Sequence, residues 1–96
     1  MKKISQDKLE KVAFVLKTIG HPVRLAIINN LSIKDRMSVN EICEELDLEQ
    51  SLISHHLKTM KEKGIVDCTR DGKVRNYFLA LDEVLTVINC MNKCNL

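Results

Sequence analysis

Apolar residues recur at helical spacing through most of the first 60 positions of this chain, then give way to two short β-rich runs and one last helical stripe. Residues 5–19 predict a first helix. Leu9, Val12, Ala13, Leu16 and Ile19 fall on one stripe, and Ser5 stands where an N-cap belongs. Phe14 and Val15 widen the stripe beyond one face. A widened stripe suits two partners, the domain's own core and a second subunit. Gly20 occupies the expected C′ position, and His21-Pro22 restarts the chain with proline at the first position of a second helix. Leu25, Ile28 and Leu31 bury one side of that helix, helped by Ala26 and Ile27, while Arg24 points elsewhere, within reach of a phosphate. Residues 32–37 read as a polar connection.

Ser38-Val39-Asn40-Glu41 is a capping box, in which the serine hydroxyl and the glutamate carboxylate each satisfy an amide of the other residue. The third helix then runs to about Leu46 and buries Val39, Ile42 and Leu46. Asp47-Leu48-Glu49 is a turn, and a fourth helix spans about 50–63 and buries Ile53, Leu57 and Met60, with Leu52 and His56 at the margin. Gly64 stops it. Two helices joined across three residues have the form of a helix-turn-helix, here from Ser38 to Gly64. Next, Ile65 to Arg70 and Lys73 to Leu79 flank Asp71-Gly72, a strong hairpin signal. Asp82 is expected to cap a last helix, 83 to about 93, with Val84, Leu85, Val87, Ile88 and Met91 on one side. The predicted fold is mainly α (α+β), a winged helix-turn-helix of order α-α-α-α-β-β-α in one domain, residues 1–96. Its terminal helices are expected to form a dimer interface. A core built from Leu, Ile and Val with three aromatic residues is thin, and small helical folds often complete such a core by dimerising.

Charge changes the picture through its distribution. Residues 1–24 carry a net charge of +4, residues 34–49 a net of −4, and residues 50–78 a net of +3, although the whole chain is only +2. A polyanion would meet the fourth helix and the hairpin, not the acidic helix before them. On a helical wheel Ser51, Ser54, His55 and Lys58 lie opposite the buried face, with Gln50 at the helix start. A helix in the major groove reads bases with residues near its N-terminus and holds the backbone further along. Gln50 can pair bidentately with adenine, the serines with several base edges or phosphates, and Lys58 with a phosphate. At the hairpin, Arg70, Lys73 and Arg75 would reach flanking phosphates or the neighbouring minor groove. Each group alone also fits an ordinary solvated surface. Their succession, after a capping box and a short turn, points to double-stranded DNA.

Several stretches resemble the ArsR/SmtB family of winged-helix repressors: Leu16 to Leu31 with its Gly20-His21-Pro22, Ser51-Leu52-Ile53-Ser54-His55-His56-Leu57, Gly64-Ile65-Val66, and Arg70 to Phe78. The similarity covers most of residues 9–82. It implies a homodimer built on the first and last helices. It also implies a repressor on a near-palindromic operator, released by a metal ion, a metalloid or a redox signal. Two-fold pairing would set the recognition helices about one helical turn apart, ~34 Å. The family's sensing sites are not intact. Ser38 and Asn40 stand where a Cys-x-Cys pair is expected, and Cys43 matches only an accessory cysteine of some arsenic sensors. Asp82 could begin a zinc site, but Val84 replaces the expected histidine and the distal histidine falls at about Asn95.

The chain's own thiols remain. Cys90 and Cys94, four apart, are expected on one face of the last helix, where they would bind a soft ion, form a disulfide, take up a persulfide, or serve as small hydrophobes beside the stripe. Cys43 or Cys68 would supply a third ligand for a trigonal metalloid, though a packed position is the commoner use of such residues. No resident cofactor is implied beyond such an ion. His21 reads as a helix-entry residue, His56 as a hydrogen-bonding residue inside the motif, and His55 as the one histidine on the DNA side. No nucleophile–base ordering, glycine-rich phosphate loop or His-Glu-x-x-His pattern occurs, so an enzyme is not expected. No apolar run approaches the ~18 residues of a membrane span. Met1-Lys2-Lys3 opens onto a polar stretch rather than the apolar region of a leader. A cytoplasmic chain with reduced cysteines is expected. The function that follows is a homodimeric, sequence-specific DNA-binding transcriptional repressor. The alternatives are a thiol- or persulfide-responsive repressor acting through Cys90 and Cys94, and a winged-helix protein–protein adaptor without DNA binding.

Overall fold

The computed structural model describes residues 3–96; Met1 and Lys2, on which the expectation of no leader partly rests, lie outside them. Five helices and a three-stranded antiparallel sheet follow in the order α1 (Gln6–Ile19), α2 (Pro22–Lys34), β1 (Met37–Ser38), α3 (Val39–Leu46), α4 (Gln50–Glu62), β2 (Val66–Asp71), β3 (Val74–Leu79) and α5 (Asp82–Asn92). The sheet order is β1-β3-β2.

The helix starts follow from local chemistry. The Lys8 amide donates to Ser5 Oγ at 3.2 Å, which caps α1. Pro22 opens α2 behind His21, whose Nδ1 accepts from the Val23 amide at 3.1 Å. Ser38 and Glu41 close the capping box of α3 from both sides, at 3.2 and 3.0 Å. Asp47 ends α3 in the left-handed region at φ 53, and its amide donates to the Cys43 carbonyl. A short polar side chain tolerates that conformation better than most.

Ile27, Ile28 and Leu31 of α2, Ile42 of α3, and Ile53, Leu57 and Met60 of α4 are buried together with Ile65, Val66 and Tyr77 of the sheet region. Val84 and Ile88 seat α5 on this core. The terminal helix α1 contributes little. Thr18 and Ile19 in its last turn are buried and Val15 is half-buried, while Leu9, Val12 and Leu16 stay about half exposed (48%, 46% and 50%).

The structure departs from the sequence expectations at six places. The connection after α2 contains β1, where Met37 pairs with Tyr77 and is fully buried. A strand of two residues is too short to show an alternating pattern, so the order gains one strand. Gly20 ends α1 at φ −74, outside the left-handed region. Glycine is required there for room, because a Cβ would lie 2.9 Å from the Leu16 carbonyl oxygen. The hairpin turns one position later than expected: Asp71 pairs with Val74, so the loop is Gly72-Lys73, with Gly72 at φ 64 in the first loop position as in a type II′ turn. The cap of α5 is Leu81, without a side-chain bond, and Asp82 is the first helical residue. Cys94 lies beyond the end of α5 and does not share a helical face with Cys90; the helix stops at Asn92, and the Cys94 amide donates to the Met91 carbonyl at 3.0 Å. Arg24 is turned inward and not toward solvent, as described below.

Candidate nucleic-acid interface

Helix α4 has two chemically distinct sides. Ile53, His56, Leu57 and Met60 face the core, and Gln50, Ser51, Ser54, His55 and Lys58 are all exposed. The burial of Ile53, Leu57 and Met60 against α2, α3 and the sheet fixes the rotation of the helix, and so fixes which residues it presents. At its start, Glu49 makes no side-chain cap, so the first amides of α4 are left to other acceptors.

The hairpin extends the same surface. Val66, Cys68, Tyr77 and Leu79 share one face of β2–β3 and pack on the body, and Arg70 and Arg75 continue that face outward as directly opposed partners. Two guanidinium groups opposite each other in a ladder repel. Their pairing is tolerable on an exposed arm and favourable once an anion lies between or beside them. Ser54 and Lys58 of α4 and Arg75 of β3 line one open groove, together with Lys61, Glu62, Val39 and Tyr77. Lys73 sits in the loop itself and Arg70 across from Arg75; neither lines the groove.

Two basic residues were not legible as site components. Lys61 lies in the groove, and its spacing from Ser54 and Lys58 on the exposed face was the available signal. Arg36 braces the opposite face of the hairpin. Its Nη1 donates to Thr69 Oγ1 at 3.1 Å, and its guanidinium carbon lies 4.6 Å from the Phe78 ring centroid. No sequence pattern joins Arg36 to a strand more than 30 residues away.

Behind α4, His56 is buried (5% exposed), and its Nδ1 accepts from Arg24 Nε at 3.1 Å. Arg24 Nη1 donates to the Thr18 carbonyl at 2.9 Å. His56 is held below the usual histidine range by burial first, then by His21, Arg24 and His55.

Comparison with known proteins matches residues 21–67 to the model of a bacterial regulatory protein family, the arsR family. The chain is 36% identical over 87 residues to an HTH-type transcriptional regulator of Methanocaldococcus jannaschii, covering 91% of this chain and 98% of that one. It is also 36% identical over 90 residues to the transcriptional repressor PagR of Bacillus anthracis, covering 94% and 90%. The chain belongs to the arsR family. Its fold agrees: the crystal structure of PagR superposes with a TM-score of 0.82 at 33% identity over 91% of this chain and 99% of that one. HlyU from Vibrio cholerae superposes with a TM-score of 0.85 at 27% identity over 93% and 96%. This arsR-family chain is therefore a winged helix-turn-helix DNA-binding transcriptional regulator and not an enzyme.

The thiols of this family member are dispersed. All four cysteines are free; Cys43 and Cys68 are half-buried against the core, and Cys90 and Cys94 are exposed. Among the described residues no three His, Cys, Asp or Glu side chains gather as a metal site. Among the described residues no third such ligand gathers beside Cys90 and Cys94, and Cys43 packs against the core from α3. Among the described residues, no single helix is long and apolar enough to cross a membrane.

Proposed function

We propose that this chain is a homodimeric transcriptional repressor that lays α4 in the major groove of a near-palindromic operator and its hairpin along the flanking backbone. The observation that carries the reading is the shared groove: Ser54 and Lys58 of one element and Arg75 of another converge on a single exposed surface. In this reading Gln50, Ser51, Ser54 and His55 meet base edges, and Lys58, Arg70, Lys73 and Arg75 meet phosphates. The same surface argues against a protein–protein adaptor. Such a protein would expose an apolar patch on α4, whereas here Leu52 alone of its large apolar residues is exposed, at 38%, and most of the exposed apolar groups lie elsewhere.

They collect on α1 and α5. An open groove between these helices is lined by Val12, Val15, Leu16, Leu81 and Val87, with Lys8 and Lys11 at its edge. Leu85 and Met91 of α5 are also partly exposed (38% and 42%). A second copy offers the matching apolar surface, and two-fold pairing would present two α4 helices to one face of DNA.

The test uses the duplex that the protein selects from a random-sequence pool. Replacing Ser54 and His55 together by alanine is expected to weaken specific binding about thirtyfold or more, at about 1 kcal/mol or more for each of the two lost base contacts, without unfolding the domain. Unchanged affinity would remove α4 from the base-reading role. A second reading, that release is thiol-driven, is favoured by the exposure of Cys90 and Cys94. Titrating the complex with zinc, cadmium, arsenite, peroxide and a persulfide donor, on wild type and on the Cys90→Ser, Cys94→Ser variant, separates a soft-ion response from an oxidative one. A double variant that still releases normally would exclude both roles for these thiols.

A further inference from the structure

Arg24 spans three elements. It leaves α2, donates Nη1 to the Thr18 carbonyl in the last turn of α1, and donates Nε to His56 Nδ1 on the buried side of α4. Thr18 is itself buried, and its hydroxyl donates to the Phe14 carbonyl at 2.8 Å. One side chain thus joins the helix with the unpartnered apolar stripe to the helix with the exposed polar face. A guanidinium has only donors, so His56 Nδ1 must be the acceptor and its proton must sit on Nε2.

We propose that Arg24 is the positioning residue that holds α4 in register with α1, and that this joint closes only while the His56 imidazole is neutral. The DNA-binding part of the proposal rests on the function proposed above; the joint itself does not. Protonation at Nδ1 would remove the acceptor that Arg24 Nε uses and put a second cation against the guanidinium. The groups that face His56 offer no relief. From the entry of α2 come His21, with ring centroids 4.6 Å apart, and Arg24; from α4 comes His55 at 5.5 Å; α1 contributes an uncharged carbonyl through Arg24. The direction of the His56 shift agrees with this arrangement, since burial and the three neighbours all favour the neutral ring.

The sign follows from linkage. The folded value lies below the unfolded one, so the unfolded chain binds the proton more readily. The stabilisation is complete above the ordinary histidine value and is lost as pH falls through the folded value.

The experiment compares wild type, His56→Asn and His56→Leu at constant ionic strength between about pH 7.5 and about pH 5.5, the window in which histidine charge changes. Asparagine keeps an acceptor near Nδ1 and does not titrate; leucine fills the space and accepts nothing. Thermal midpoints are read for all three, with affinities for a duplex selected by the wild type from a random pool. On acidification the wild type is expected to lose thermal stability and to weaken several-fold on that duplex. His56→Asn should match it near pH 7.5 and lose little on acidification, and His56→Leu should be impaired at both pH values. Equal pH dependence of wild type and His56→Asn in both readouts would overturn the proposal, as would a fully functional His56→Leu. If no duplex is selected at all, the DNA reading fails by itself, and the thermal midpoints still decide the joint.

Discussion

Helices α1 and α4 carry comparable apolar stripes and end in opposite situations. In α4, Ile53, Leu57 and Met60 are fully buried. In α1, Leu9, Val12 and Leu16 remain about half exposed, and only the last turn enters the core. The difference lies in what surrounds the two helices. Residues of α2, α3 and the sheet close over α4, whereas α1 runs past the body and meets α5 across an open groove. A stripe states that a helix has something to bury; it does not state whether the partner lies in the same chain. The central motif solves its burial internally and is free to present a polar face. Helix α1 leaves most of its stripe unsolved and α5 leaves Leu85 and Met91 partly exposed, which is what a second copy would complete.

Four variants probe the contrast between the two helices and the surfaces they leave free. Leu57→Ala removes a fully buried side chain from α4 and is expected to cost about 2–5 kcal/mol, most of the stability of a domain this small, as read by chemical denaturation. A cost below about 1 kcal/mol would place α4 outside the core and erase the contrast. Val12→Glu combined with Leu16→Glu should keep the helical circular dichroism but raise the dimer dissociation constant by about a hundredfold, since each subunit loses two half-exposed apolar contacts. Sedimentation velocity reads this, and a variant that unfolds instead would mean that α1 belongs to the core of its own chain. Arg75→Ala should weaken binding to every duplex several-fold and reduce the salt slope by about one phosphate's worth. An unchanged slope would take the hairpin off the backbone. Ser38→Ala, the smallest, removes the hydroxyl that caps α3 and should cost about 1 kcal/mol. Its pH signature is separable. The Ser38 amide and hydroxyl hold the Glu41 carboxyl below its usual range, so that contribution is present above the unfolded carboxylate value and lost as pH falls through the folded one. The alanine variant keeps the position-38 amide, so an acid limb identical in the variant would show that the hydroxyl adds nothing to the amide in lowering Glu41.

What could be read from sequence divides along similar lines. The capping box, the turn at Asp47, the buried side of α4 and the existence of the hairpin were all legible, because each is written in neighbouring residues whose local chemistry agrees with the tertiary structure. The misses are of two kinds. Some were shifts of one or two residues: the hairpin loop at Gly72-Lys73, the start of α5 at Asp82, and the position of Cys94 beyond its end. Spacing alone does not fix register or helix ends. Others were long-range. Met37 pairs with Tyr77, Arg36 reaches Thr69 and Phe78, and Arg24 reaches His56, all between residues 32 to 42 positions apart. Arg24 was read as a surface cation because nothing near it in sequence reveals an imidazole acceptor. The exposed polar face of α4 was legible as a face, but the convergence of Ser54, Lys58, Lys61 and Arg75 on one groove needed the fold.

The most direct test of the division between gripping and pairing regions is a hydroxyl-radical footprint of the full chain on a duplex selected from a random pool. Two protected patches are expected on one face of the DNA, related by two-fold symmetry and centred about one helical turn, ~34 Å, apart. A single protected patch of one half-site would rule out two gripping helices held by a pairing face.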